Sequence, residues 1–599
     1  MFLKACRRRK NGKGHVYWQL VESYRTSVGS RHRVVAYLGE LSESERKGWG
    51  RLATALDGKS AQRARQMSLF EPEGEAGAEP VPEEVEVRLK GVRVSRSRDF
   101  GDVYLALTLW RTLCLDEFLE RELVPGREEV SWGLMACVIA IARFLEPASE
   151  LHIEGRWYKR TVLADFLGVK VEQVTDSRLY RTLDAVLPLK ERIEQHLRER
   201  IGELFAPDCE ILLYDVTSTY FEGEAKRNSQ AQRGHSRDSR PDCKQVCIGL
   251  VVTPEGYPLG HEVFAGNRND VKTLEDIVEA MEAKYGKARR VWVFDRGIVS
   301  EGNLDFLRKH DGQYIVGTPK SMLRKYEQAL LGKDWKEVRD GLEVKLVPAP
   351  GGEETYVLCR STDRRAKEAA MRSRFEKRIE EGLKKLAGRL ERARQKPDRS
   401  QVERQIGRLL GRNSRAGGLF DIKVREVQRD GQKGFLELTW NKRRAWRQWA
   451  ELSAGCYLLR TNLTSRDPEE LWKAYIQLTD VEEAFRTHKS ELLIRPIWHQ
   501  KEERVQAHIL FSFLAYAMWK TLQGWMQRAG LGRGARTVIE ELARIKANDV
   551  RLPTTSGREV SLCCLTRPDG SQCALLDRLG LALPERLGRP TWASDPATL

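Results

Sequence analysis

Three short runs constrain this chain more than any other feature: CEILLYD at 209–215, CIGLVV at 247–252 and VWVFD at 291–295. Each is too short for an ordinary helix and too uniformly apolar for a strand with one wet face, so each reads as a strand buried on both sides. A sheet of that kind must be covered by helices, which makes the fold class α/β. Two of the runs end in an acid. Asp215 follows ILLY and Asp295 follows VWVF, so both carboxylates are expected at or near the C-terminal ends of strands, where open α/β sheets gather their ligands. One acid so placed is common; two, joined by a third on a helix, point to a site.

The third acid is selected by helix geometry. Asp467 suits an N-cap, Pro468 suits the first turn, and Glu469 and Glu470 complement the positive helix end, so a helix is expected from there through Lys489. On it Tyr475, Glu482 and Lys489 recur every seven residues, which returns each to within about 20° of the last. Glu483 points about 100° from that stripe and Asp480 about 160° from Glu482. An acid flanked by a phenol and an ammonium suits a phosphate, the acid holding a metal and the lysine meeting phosphate oxygens. Three carboxylates match Mg²⁺ or Mn²⁺, and two such ions can serve both the attacking and the leaving oxygen of an in-line displacement. A solvated charged helix is the competing reading, and the two aspartates argue against it.

With 599 residues, three or four folding units are expected. A formal charge of +17 favours a polyanionic partner such as double-stranded DNA. No apolar stretch is long enough to cross a bilayer, the best, Trp132–Leu145, being interrupted by Arg143. The N-terminus lacks an apolar signal core, so a cytoplasmic protein is expected. The eleven cysteines lack zinc-site spacing and read as reduced thiols. Neither a GxxxxGK[ST] phosphate loop nor an HExxH motif is present.

Along the chain the expected division is a β-hairpin region at 1–60, a linker at 61–95, a helical domain at 96–206 and the first part of the α/β core at 207–330. An insertion follows at 331–450, then the second part of the core at 451–530 with the acid-bearing helix, and a C-terminal segment at 531–599 to which no chemistry attaches. In the helical domain Ser177, Arg178 and Arg181 are expected to face outward, compatible with a DNA-reading helix or a plain bundle. In the insertion, residues 364–412 carry seventeen Lys or Arg against seven Asp or Glu. There Ile379, Leu383, Leu386 and Leu390 form one narrow stripe and Pro397 is expected to end the helix. The segment reads as a basic helical hairpin, either a solvated arm or a clamp on DNA backbone.

Several ordered motifs together resemble the DDE transposases of bacterial insertion sequences, most closely the 1634 group of the insertion sequence 4 superfamily. YDVTSTYFEG and VFDRGIVSEGNL are similar to the family's first and second aspartate motifs. RGHSRDSRPDCKQV and GYPLGHEVFAGNRNDVKTL resemble stretches between them, and YIQLTDVEEAFRTHKSELLIRPIWH resembles the signature helix. The resemblance spans roughly residues 207–525. It implies an RNase H-like core, a mixed sheet flanked by helices, with an inserted helical and β region and an N-terminal helical domain that binds DNA ends. It implies Asp215, Asp295 and Glu482 as catalytic metal ligands for two Mg²⁺ or Mn²⁺ ions, and Tyr475, Lys489 and Arg486 as phosphate contacts. Leu478 stands where the signature has arginine, and Arg486, one turn past Glu482, is the residue placed to substitute. The implied activity is cleavage and strand transfer on terminal inverted repeats by a homodimer. Two alternatives stand beside it: a metal-dependent nuclease of the same fold, which uses the same acids, and a DNA-binding regulator without catalysis, which predicts a lost acid.

Overall fold

Alternating side chains near the N-terminus pair as antiparallel strands. β2 (Lys13–Thr26) runs against β3 (Gly29–Glu40), with Tyr17 opposite Glu40 and Thr26 opposite Gly29, and β1 (Phe2–Lys10) adds a third strand on the outer side of β2. The computed structural model describes residues 2–10, 13–26, 29–40, 81–82, 84–286, 290–349, 352–395, 397–429, 432–584 and 586–593. Most of the linker expected at 61–95 therefore lies outside the described residues. The structure is mixed α/β and divides into two units, Met1–Cys6 with Tyr17–Gly312 and Gln477–Leu599, and Arg7–Val16 with Gln313–Ile476.

In the first unit, β4 (Arg93–Asp99) leads into α1 (Gly101–Thr112), α2 (Leu115–Glu122), α3 (Trp132–Leu145), α4 (Asp176–Val186) and α5 (Lys190–Phe205). Starts are set locally: Ser131 Oγ accepts from Leu134 N and Thr175 Oγ1 from Arg178 N, each satisfying an otherwise orphaned helix donor. Ser177 and Arg181 are exposed on α4, but Arg178 is not free in the way its sequence position suggests. Its guanidinium reaches back to the Gln173 carbonyl and donates to Glu129 at 2.8 Å, because a half-buried cation is better held by an acid and a free carbonyl than left facing outward.

The next strands are β5 (Ile211–Tyr220), β6 (Gln245–Val252), β7 (Pro258–Ala265) and β8 (Val291–Phe294), ordered β8-β5-β6-β7 within this unit. β5 and β8 are parallel and the other pairs antiparallel, so the sheet is mixed. Every residue of β6 and of β8 is buried, as their unbroken apolar runs require. Between β7 and β8 lies α6 (Leu274–Tyr285), and after β8 comes α7 (Glu301–Lys309), capped by Ser300.

The second unit contains β9 (Gln313–Gly317), β10 (Lys336–Arg339), β11 (Leu342–Pro348) and β12 (Thr355–Ser361), and later β15 (Cys456–Thr461), in the order β10-β11-β12-β15-β9. Between β12 and β15 the basic segment forms α8 (Thr362–Glu391) and α9 (Arg399–Arg412), followed by the two-stranded sheet of β13 (Phe420–Arg429) and β14 (Gln432–Lys442) and by α10 (Arg444–Leu452). The stripe Ile379, Leu383, Leu386 and Leu390 packs against Val402 and Ile406 of α9 and Leu436 and Leu438 of β14. α8 stops at Glu391, earlier than Pro397 would impose, because Leu390 is the last side chain of the stripe with anything to bury against.

The single helix expected from Pro468 to Lys489 is two helices. α11 (Pro468–Ile476) closes the second unit, and α12 (Leu478–Ser490) opens the return to the first. The Gln477 carbonyl accepts from Asp480 N at 2.7 Å, a three-residue turn that interrupts the four-residue ladder. α13 (Glu502–Arg528) follows, buried almost all round and packed on α1, α3, α4 and β7. The C-terminal part supplies α14 (Ala535–Leu542), β16 (Lys546–Pro553), β17 (Glu559–Leu565), α15 (Gly570–Leu579) and β18 (Arg586–Trp592). β16 pairs with β4, so a segment with no legible chemistry completes a four-stranded sheet begun near residue 93. Among the described residues no helix is long and apolar enough to cross a membrane.

Candidate active site

Parallel pairing brings the two aspartates together. Tyr214 on β5 lies opposite Phe294 on β8, so the next residue on each strand is an acid, Asp215 and Asp295. Adjacent strands run about 4.8 Å apart, which fixes the scale of this pair. β8 ends at Phe294, whereas β5 continues through Tyr220 against β6, so Asp215 lies within its strand rather than at its end. The turn after Asp295 is fastened by Ile298 N donating to Asp295 O and by Asn303 Nδ2 donating to the Val271 and Ile298 carbonyls at 2.8 Å.

α12 packs on β5 and brings Glu482 to the same place. Asp215, Asp295 and Glu482 line one open cleft of about 470 Å³, with Arg237, Asp270, Arg486 and Lys489 on its walls. Asp480 and Glu483 are not in its lining. Asp480 pairs instead with Arg533 at 3.3 Å, and burial raises its carboxyl above the usual range. These placements are what a helix with Glu482 facing the sheet produces at 100° per residue.

Burial pushes the Asp215 carboxyl up to about 6, with Asp295 and Glu482 adding to the shift, while the Val216 amide and the Arg237 guanidinium oppose it. A carboxylate held back from ionising by burial and two other acids is stabilised in its charged form by a cation among them. The donor set is all oxygen, which suits Mg²⁺ or Mn²⁺. Among the described residues no group of three or more His, Cys, Asp or Glu side chains is gathered closely enough to hold a metal ion as it stands. The acids border an open cleft instead, the arrangement that leaves coordination positions for water and substrate phosphate.

Of the expected phosphate contacts, Arg486 lines the cleft with its side chain 73% exposed, its nearest acid being Glu483 at 3.6 Å. Lys489 also lines the cleft, but its ammonium is mostly buried and donates to Asp238 at 2.8 Å. Tyr475 belongs to α11 and hence to the other unit, so the seven-residue stripe holds only from Glu482 to Lys489. Leu478 is the first residue of α12 and half-buried. Next to Lys489, His488 is buried, pushed down to about 3 by desolvation, and shares a hydrogen bond with Ser512.

Three polar residues here were not singled out by sequence reasoning: Arg237, Asp238 and Asp270. Arg237 N donates to Ser218 Oγ on β5 at 3.2 Å, and its guanidinium pairs with Asp270. Arg237 and Asp238 sit in an irregular connection and Asp270 opens a single 3-10 turn (Asp270–Thr273), too short for a periodicity to mark a facing direction. For Arg237 and Asp238 the signal is the concentration of charge in RGHSRDSRPD, whereas Asp270 lies in the separate stretch GYPLGHEVFAGNRNDVKTL.

The family model described as "Transposase DDE domain" matches residues 207–518, just over half of the chain, and that described as "IS1634 family transposase, N-terminal domain" matches residues 3–73. Among solved structures, the chain is similar to one from the cryo-EM structure of a piggyBac transposase synaptic complex with hairpin DNA, at 9% identity and a TM-score of 0.34, covering 75% of this chain and 82% of that one. No curated protein matches the chain. On the strength of the family matches, the chain belongs to the DDE transposases, in the IS1634 group.

Proposed function

We propose that the protein binds the ends of an insertion sequence and catalyses DNA strand cleavage and strand transfer at the cleft between β5, β8 and α12, on a core of RNase H-like type. The observation that carries this reading is the meeting of Asp215, Asp295 and Glu482, from two strands and a helix, at one open cleft with an exposed arginine on its wall. These three acids would hold Mg²⁺ or Mn²⁺, two ions in the active complex. When bound, the ions supply the positive charge that an in-line displacement at phosphorus needs on its attacking and leaving oxygens. With the ions bound, the Asp215 carboxylate would be held in its charged form; Arg486 would bind non-bridging phosphate oxygens, and Arg237, which also lines the cleft, would balance the acids. With water as nucleophile the P–O3′ bond breaks, leaving a 3′-hydroxyl and a 5′-phosphate; with that hydroxyl as nucleophile on a target phosphorus, a new phosphodiester forms as the target P–O3′ bond breaks and the target's 3′-hydroxyl leaves. The helical residues 96–206 and the basic α8–α9 hairpin are assigned to DNA contacts, on double-stranded DNA in the cytoplasm.

The retention of all three acids at one cleft favours catalysis over a purely regulatory role. A nuclease that only hydrolyses would give nicked DNA and no joined product, so strand transfer separates it from a transposase. The test uses the full chain and a plasmid carrying the coding region with its native flanks. Asp215→Asn and Asp295→Asn should each reduce Mg²⁺-dependent cleavage by at least about 10³-fold while DNA affinity stays within about twofold. Wild-type cleavage by either variant would remove the site assignment.

A further inference from the structure

We infer that Asp238 is a positioning residue that ties the helix bearing Glu482 to the strand bearing Asp215. The inference rests on the transposase reading of the cleft. Asp238 lies in the irregular stretch between β5 and β6, and that stretch is pinned from both sides. The neighbouring Arg237 N donates to Ser218 Oγ, three residues past Asp215 on β5, and Gln245 Nε2 at the start of β6 donates to the His235 carbonyl at 3.2 Å. The Asp238 side chain is only 3% exposed. Its Oδ1 accepts from Lys489 Nζ at 2.8 Å and also from Arg495 Nη1, while Oδ2 is buried without a hydrogen-bond partner.

Both cations come from the far end of the acid helix. Lys489 is two turns past Glu482 on α12, and Arg495 lies just beyond the helix end, so one carboxylate oxygen fastens the C-terminal end of α12 and the following turn to the β5–β6 connection. Glu482 reaches the sheet from that helix, and a displacement of about 1 Å at a reacting centre can cost about 10²-fold in rate. Lys489 is thereby committed to an internal contact, which leaves Arg486 as the exposed cation of the helix on the cleft.

A tie that merely stabilises the fold would act on melting, not on the chemical step. Asp238→Asn keeps the shape and removes the charge, leaving Lys489 and Arg495 without their common acid. In the full chain, cleavage of the flank-bearing plasmid at saturating DNA and Mg²⁺ should fall about 100-fold, with KM within about twofold. Amide hydrogen exchange should rise in residues 478–490 and stay unchanged in α8. If the variant does not fold, Lys489→Met breaks the same contact from the other side and must raise exchange in the same segment. Unchanged exchange in α12, or a rate equal to wild type in a protein that only melts lower, would overturn the inference. Should wild type fail to cleave with Mg²⁺ or Mn²⁺ while exchange in α12 still rises in the variant, the tie stands and the transposase reading falls.

Discussion

Within a span of four residues on α12 lie three acids, and only one faces the sheet. Asp480 is engaged with Arg533, Glu483 is the acid nearest Arg486, and Glu482 alone lines the cleft with Asp215 and Asp295. Glu482→Gln is therefore expected to lose cleavage by several orders of magnitude, whereas Glu483→Gln and Asp480→Asn keep most of it, measured on uncut and pre-cut ends with folding checked by melting. A dead Glu483→Gln beside an active Glu482→Gln would place the helix in the wrong register. Asp215 carries a second, independent signature. Its carboxyl is raised from 3.8 to about 6, so the folded state prefers the protonated form. The stability this group contributes is fully present below about pH 4 and is lost as pH rises through 6. Asp215→Asn removes that penalty. In EDTA at pH 8 the variant should be more stable than wild type by roughly 1–3 kcal/mol, the gap closing at pH 4, and Mg²⁺ should raise the melting temperature of wild type but not of the variant. Equal melting curves at pH 8 would mean that Asp215 is not the strained acid of the cleft.

The basic hairpin sets the corresponding question for elements. Its apolar stripe is spent on α9 and β14, and Lys377, Arg378, Lys384 and Lys385 remain exposed on the outside of α8. If they grip DNA backbone, replacing all four by glutamine lowers the slope of log affinity against log salt by about 3 to 4, since each phosphate contact contributes about 0.9. An unchanged slope leaves the hairpin a solvated arm. At this scale the sequence is a good guide where a pattern is local. The buried runs of β5, β6 and β8 announce themselves, and so does the stripe from Ile379 to Leu390. It is a poor guide where the cause is distant or aperiodic. The turn at Gln477 sits inside LWKAYIQLTDVEEAF, which favours helix throughout, so the break hides from propensity. The partner of β16 is β4, roughly 450 residues earlier, and Asp238 becomes visible only when the loop that holds it folds against Lys489.

For the whole molecule, the governing fact is that an insertion sequence has two ends, while the chain brings Asp215, Asp295 and Glu482 together at one cleft. One chain would have to release its first product, hold it near, and rebuild the same complex on the second end. Two chains related by a two-fold axis hold both ends at once, with identical contacts, and a closed pair of that kind is the commonest symmetric assembly. The expected active complex thus contains two chains and two ends, with each cleft cutting one end. Mixing wild type with Asp295→Asn tests the division of labour. If each chain serves one end, complexes containing one chain of each type cut a single end, and singly cut product rises to a maximum near equal mixing. Mass measurement of the isolated complex gives the stoichiometry independently. One chain per pair of cut ends, or mixed complexes that cut both ends as fast as wild type, would rule the paired arrangement out.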